Sequence, residues 1–125
     1  MVFKKDFLDK IINITSNAAI ACYPHLGKKD KALVDKAATD EMRKNLNQLD
    51  IDGKVVIGEG ELDEAPMLFI GEKLGTGEGP SLDIAVDPLE GTNFAANNLP
   101  GALSVLAISS KGNLFNAPET YMDKL

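Results

Sequence analysis

The sequence is short of sulfur, of positive charge and of long apolar runs. Its single cysteine, Cys22, has no partner for an internal disulfide, and no charged-then-apolar leader ending in small residues stands ahead of it. A reducing, cytoplasmic setting is the expectation. The longest apolar stretches, such as residues 102–108, fall far below the roughly 20 residues that a membrane-crossing helix requires. No membrane partner is expected. Lysine and arginine total 13 against 19 aspartates and glutamates, for a net charge of −6. Phosphate backbones are held by clustered Lys and Arg, so this balance argues against a nucleic-acid partner. Internal repeats and low-complexity tracts are also missing. The glycine-rich residues 71–79 lack the Gly-Lys-Ser/Thr ending of a Walker loop.

What is present suits a folded domain. The 125 residues match the usual size of one domain, and 44% hydrophobic content is enough to bury a core. Apolar side chains at Phe3, Phe7, Leu8, Ile11, Ile12, Ala18, Ala19 and Cys22 recur at three- and four-residue intervals, which predicts a helix over 3–23, stopped by Pro24. A second helix is predicted over 30–49, with Leu33, Val34, Ala37, Ala38, Met42, Leu46 and Leu49 inward. Ile51-Asp52-Gly53 reads as a turn and residues 54–58 as a buried strand. Residues 75–81 read as a loop. A strand follows over 83–88, which Pro88 must end or place at an edge. A third strand is expected over 102–109, and a turn at 111–113 leads into another over 114–117. Two leading helices followed by strands that mostly form hairpins give an α+β class. The chain stops at Leu125 without a cap or a polar tail, directly after a proline-containing turn, which reads as a cut and suggests a fragment.

The most informative segment is Asp87-Pro88-Leu89-Glu90-Gly91-Thr92. Hard divalent cations need several oxygen ligands in fixed geometry, and strand ends supply them. Pro88 turns the chain out of the strand so that Asp87 and Glu90 face one site, Gly91 allows close backbone approach to an anion, and Thr92 offers a hydroxyl. A proline turn with merely solvated acids is the plainer alternative. A second acidic cluster, Glu59, Glu61, Asp63 and Glu64, follows another strand, and both strand ends can meet at one sheet edge. Without cations, so many carboxylates would raise one another's pKa. Asp35 lies on or beside the apolar face of the second helix, where it either meets a metal or pairs with Lys31 four residues earlier. Asp40 and Glu41 read as surface acids, Cys22 as a small core residue, and His25 as a packing or surface residue. Lys28, Lys29 and Lys31 form a basic patch that either meets a substrate phosphate or is solvated.

Three motifs in order resemble the class II fructose-1,6-bisphosphatases of bacteria: Val56-Ile57-Gly58-Glu59-Gly60-Glu61-Leu62-Asp63-Glu64-Ala65-Pro66-Met67-Leu68, then Asp83-Ile84-Ala85-Val86-Asp87-Pro88-Leu89-Glu90-Gly91-Thr92, then Asn116-Ala117-Pro118-Glu119-Thr120-Tyr121-Met122. The middle one alone resembles the wider lithium-sensitive superfamily that includes inositol monophosphatases. The resemblance implies the N-terminal part of a layered α-β-α-β-α sugar-phosphatase fold, here two helices and a mainly antiparallel sheet. It implies Mn²⁺- or Mg²⁺-dependent removal of the 1-phosphate from fructose 1,6-bisphosphate, a gluconeogenic step that yields fructose 6-phosphate. The alternatives are sedoheptulose 1,7-bisphosphate or inositol phosphate as substrate, or an inactive metal-binding fragment. Matched motif by motif, Asp35, Glu59, Asp87 and Glu90 fall on metal ligands, Asp63 and Thr92 on catalytic positions, and Glu90, Gly91, Thr92 and Tyr121 on substrate contacts. Around Asp35, Gly27-Lys28-Lys29-Asp30-Lys31 and Val34 follow the family's Gly-basic-Gly-Asp-Lys and Ala-Asp pattern only in part. Family members are more than twice as long. The expectation is therefore that residues 1–125 lack the C-terminal half, with its remaining metal-ligating glutamate, and leave apolar faces open to self-association. The full-length protein is expected to be a homo-oligomer.

Overall fold

The structure, a computed structural model, describes residues 3–60, 67–116 and 123–125. Helix α1 (Lys5–Cys22) buries Ile14, Ala18 and Cys22, a strict four-residue stripe. It ends where Pro24 enters a single 3₁₀ turn, Tyr23–His25. Helix α2 (Lys31–Leu46) is capped by Asp30, whose carboxylate accepts from the Leu33 amide at 3.0 Å. Such a cap contributes about 1 kcal/mol. The helix stops three residues before Leu49, but Leu49 still enters the core from the turn that follows.

Four strands form one sheet in the order β2-β1-β3-β4: β1 (Asp52–Ile57), β2 (Lys73–Leu74), β3 (Ser81–Glu90) and β4 (Leu103–Ser110). β1 pairs antiparallel with β2 and parallel with β3, and β3 pairs antiparallel with β4. The sheet is mixed, with antiparallel pairings in the majority. Helix α3 (Thr92–Ala96) follows β3 directly.

Two strand expectations are corrected. Pro88 neither ends its strand nor lies at an edge, because β3 is central and continues to Glu90. The ladder with β4 shifts register between Asp87 and Glu90, so the missing N–H of Pro88 falls where no ladder bond is required. The strand expected over 114–117 is absent as far as residue 116, and Ala117 lies outside the described residues. The approach to it is tied down instead: the buried Asp83 carboxylate accepts from the amides of Gly112 and Asn113 in the preceding turn and of Leu114, its first residue, at 2.6, 3.1 and 3.3 Å.

One sheet face carries the core. Val55, Ile84 and Val86 pack with Ile14, Met42, Leu46 and Ile51, and Leu106 and Ile108 close against them from β4. Directly paired residues share a face, so Leu106 opposite Val86 and Ile108 opposite Ile84 point to the helices. The alternate residues, Ile57, Ala85, Asp87, Val105 and Ala107, therefore share the other face, where Ile57 and Val105 are exposed. Asp87 stands on this face.

The loop into α2 is stitched to α3, since Gly27 N–H donates to Ala95 O at 3.1 Å and Lys29 N–H to Ala96 O at 2.8 Å. Lys29 adopts a φ of 59°, left-handed geometry that a side chain disfavours. This is the position at which the sequence departs from the Gly-basic-Gly pattern. Lys29→Gly is expected to stabilise the chain by about 1 kcal/mol, read as a higher urea midpoint at unchanged slope. A midpoint that stays or falls would show that the Lys29 side chain offsets its backbone cost through contacts of its own.

Candidate active site

Because β1 and β3 are parallel, both C-terminal ends reach the same edge of the sheet. Glu59 follows β1 by two residues, and its amide donates to Leu68 O at 2.8 Å. Asp87 and Glu90 come from the last turn of β3, and Gly91 and Thr92 from the start of α3. All five line one cavity of about 740 Å³, together with Asn93 and Phe94. Gly91 holds a φ of 78°, and a Cβ there would stand 2.9 Å from the Phe94 ring, so the turn requires glycine for two reasons. Glu59 Oε2 and Asp87 Oδ1 are buried oxygens at this cavity.

Asp35 joins from behind. Thr92 Oγ1 lies 3.0 Å from Leu89 O and 3.4 Å from Asp35 Oδ1, and its single proton serves one acceptor at a time. The Lys31 pairing considered for Asp35 does not form, whereas the neighbouring acids pair as surface groups do, Asp40 with Lys36 and Glu41 with Lys44. Burial raises the Asp35 pKa above the ordinary carboxylate value, and the Thr92 hydrogen bond opposes that rise only in part.

For an acid raised in this way, the folded state binds the extra proton, so stability is greatest below the unfolded-state pKa and declines as pH rises through the folded-state pKa. Asp35→Asn removes that decline. In chelator, the melting temperature of the variant is expected to gain on the parent as pH climbs from the carboxylate range toward neutrality. Parallel melting curves at all pH values would remove burial as the cause.

Other candidates resolve as follows. Cys22 is buried, with Sγ 3.6 Å from Val34 O, and its pKa is pushed up first by burial and then by Asp35, which describes an inert core thiol. His25 does not line the cavity, although its Nδ1 is buried without a hydrogen-bond partner. Lys28, Lys29 and Lys31 do not line it either. Asp63 and Tyr121 lie outside the described residues. Asn93 and Phe94 were missed by motif reading. The signal available was their position immediately after Thr92 on a short helix whose start faces the cavity.

Hard carboxylate oxygens at a rigid strand end are the donors that Mg²⁺ or Mn²⁺ prefers, so Glu59, Asp87 and Glu90 fit such an ion in donor type. Among the described residues, no three His, Cys, Asp or Glu side chains are gathered closely enough to hold one ion.

Residues 5–125 match the model of the family described as bacterial fructose-1,6-bisphosphatase, glpX-encoded. The chain belongs to this family. Among its relatives, "Fructose-1,6-bisphosphatase 1 class 2" of Escherichia coli (strain K12) is 52% identical over 122 residues, covering 98% of this chain and 36% of that protein. "D-fructose 1,6-bisphosphatase class 2/sedoheptulose 1,7-bisphosphatase" of Prochlorococcus marinus (strain MIT 9313) is 53% identical over 123 residues, covering 97% of this chain and 36% of that one. The chain thus spans little more than a third of the length of the relatives it matches. Among solved structures, an extragenic suppressor protein from Pyrococcus furiosus superposes with a TM-score of 0.57 over 86% of this chain and 41% of that one. At 22% identity that likeness speaks for the fold alone. Ile57, Gly58 and Glu59 line the same cavity wall as Asp87, Glu90 and Thr92. No helix among the described residues is long and apolar enough to cross a membrane.

Proposed function

We propose that this chain supplies the cation- and phosphate-binding wall of a cytoplasmic sugar-bisphosphate phosphatase that removes the 1-phosphate of fructose 1,6-bisphosphate, with residues 1–125 as the N-terminal part of its domain. The supporting observation is that Glu59, at the end of β1, lines the same cavity as Asp87, Glu90, Gly91 and Thr92, at the end of the parallel β3. Sedoheptulose 1,7-bisphosphate is a second substrate reading, favoured by the double name of the Prochlorococcus relative.

In this reading Glu59, Asp87 and Glu90 would each contribute to cation binding at this cavity wall without forming a complete site for one ion among themselves, with Asp35 one layer behind. Bound there, Mn²⁺ or Mg²⁺ supplies charge neutralisation at the phosphate and acidifies water. Thr92 Oγ1 accepts from the attacking water while its own proton points to Leu89 O or Asp35. Burial gives Asp35 a raised proton affinity, which suits it to receive a proton through Thr92. The water oxygen bonds to phosphorus, the P–O bond to C1 breaks, and the sugar alkoxide takes a proton from solvent. Asp63 is assigned to orienting the nucleophile and Tyr121 to contacting the sugar. The intact enzyme is assigned a homo-oligomeric state.

The test is a chimera in which this chain replaces the matching 122 residues of the E. coli relative. Phosphate release from fructose 1,6-bisphosphate with Mn²⁺ is expected, and none from fructose 6-phosphate. A folded chimera that binds Mn²⁺ but cleaves neither bisphosphate overturns the reading.

A further inference from the structure

Arg43 lies on α2 and does not line the cavity, yet its guanidinium reaches across to the segment that returns to β1. Nε donates to Glu72 Oε1 at 2.7 Å, and Nη2 donates to Glu72 Oε2 at 3.3 Å and to Met67 O at 2.5 Å. Glu72 Oε2 in turn accepts from the Phe69 amide at 3.2 Å. The two side chains are only 24% and 13% exposed, so this forked pair is better shielded than the lysine ion pairs described elsewhere, such as Lys5–Asp9 and Lys73–Asp52.

The fork therefore grips the returning segment 67–72 at Met67 and, through Glu72, at Phe69. Between those two points lies Leu68, fully buried, whose carbonyl accepts the Glu59 amide at 2.8 Å. The same segment is fastened to β1 by Gly71 N–H to Val55 O at 2.8 Å and Val55 N–H to Glu72 O at 2.9 Å. Those two bonds lie several residues back from Glu59. Beside Glu59 itself, Ile70 N–H donates to Gly60 O at 3.3 Å, and on the side turned to α2 Arg43 adds its hold at Met67 and, through Glu72, at Phe69.

We propose that Arg43, acting through Glu72 and the Leu68 carbonyl, is a positioning residue that sets where the Glu59 carboxylate stands at the cavity. This rests on the reading of Glu59 as a cation ligand. A carboxylate on a strand end is only as well placed as its backbone, and outer partners of this kind typically alter metal affinity 10- to 100-fold.

The experiment uses this chain, with amide hydrogen exchange followed residue by residue and Mn²⁺ titrated calorimetrically. In Arg43→Met the Glu59 amide is expected to exchange at least ~10-fold faster, while Ile84 and Val86, in the central strand, change less than ~2-fold. Mn²⁺ affinity is expected to fall ~10-fold. Glu72→Gln should act in the same direction, and the double variant no further than the stronger single one, because both break one unit. Arg43→Lys keeps the charge without the fork and gives an intermediate loss, which provides a folded comparison if Arg43→Met misfolds. An unchanged Glu59 amide, or a parallel rise at Ile84 and Val86, overturns the positioning role and leaves the site reading intact. A loosened Glu59 with unchanged Mn²⁺ affinity overturns it as well. Absence of Mn²⁺ binding by the unsubstituted chain overturns the site reading, and the positioning role falls with it.

Discussion

Asp87→Asn is expected to lower turnover of the chimeric phosphatase about a thousandfold while leaving its fold intact. The substitution is nearly isosteric, so the half-buried position is refilled, and what is lost is one negative charge at the cavity wall. Asp87 is placed by the backbone of β3. It stands on the central strand, on the open sheet face opposite Val105, where the ladder shifts register because Pro88 has no N–H to contribute. Its Oδ1 is buried, which couples it to a cation more strongly than a solvated carboxylate would be. Glu90 lines the same cavity but is exposed, so Glu90→Gln is expected to cost less. Chelation of Mn²⁺ from the parent should reproduce the Asp87→Asn loss, and restoring Mn²⁺ should rescue the parent only. The measurement is phosphate release at saturating fructose 1,6-bisphosphate, with a melting curve for each protein. A folded Asp87→Asn chimera within tenfold of the parent would sink the assignment of Asp87 as a ligand.

How much of this was legible in the sequence differs by element, for physical reasons. Helices α1 and α2 were readable as helices because each writes its buried face at three- and four-residue spacing, and Pro24 and Asp30 mark boundaries by backbone chemistry, but Leu33, expected inward, is exposed and the buried Ile14 was not in the expected stripe. The end of α2 was overrun because Leu49 continues the apolar count although it belongs to the following turn. Pro88 misled in the opposite direction. A proline inside an apolar run usually marks an edge, but here a register shift frees the one position whose N–H is missing. The strand expected at 114–117 is not entered because the turn before it and its first residue, Leu114, spend their amides on Asp83, about thirty residues away, and no local pattern announces a bond of that length.

The candidate site divides along the same line. Asp87, Glu90, Gly91 and Thr92 were legible because one continuous turn holds them. That Glu59 shares their cavity depended on the parallel pairing of β1 with β3, which spacing alone leaves open. The partner of Asp35 was also open, and contact with Thr92 across 57 residues prevailed over Lys31 on the same helix. Arg43 offered no signal at all, since a lone arginine on a charged helix reads as solvated until Glu72 is seen beside it.

Gly58→Ala is expected to cost about 3 kcal/mol and to carry Glu59 with it. An added Cβ would stand 2.4 Å from Leu68 O and 2.7 Å from a Val55 methyl. Leu68 O is main chain and is the acceptor of the Glu59 amide, so the clash is relieved only by lengthening that bond and shifting the buried Leu68. Overpacking of this kind costs roughly 1–3 kcal/mol and a lost hydrogen bond about 1 more. Against the roughly 5–15 kcal/mol that holds a domain folded, this is a large fraction. Gly77→Ala separates crowding from backbone strain: Gly77 has a φ of 84° but nothing within 4 Å of an added Cβ, so its cost is about 1 kcal/mol of strain alone. Gly58 has no left-handed φ, so whatever it loses comes from the collision. Urea unfolding of both variants, followed by Mn²⁺ titration of the folded fraction, reads the two consequences separately. If Gly58→Ala costs no more than Gly77→Ala, the Glu59–Leu68 junction is looser than its geometry indicates. If it costs more but Mn²⁺ affinity is retained, Glu59 does not hold the ion.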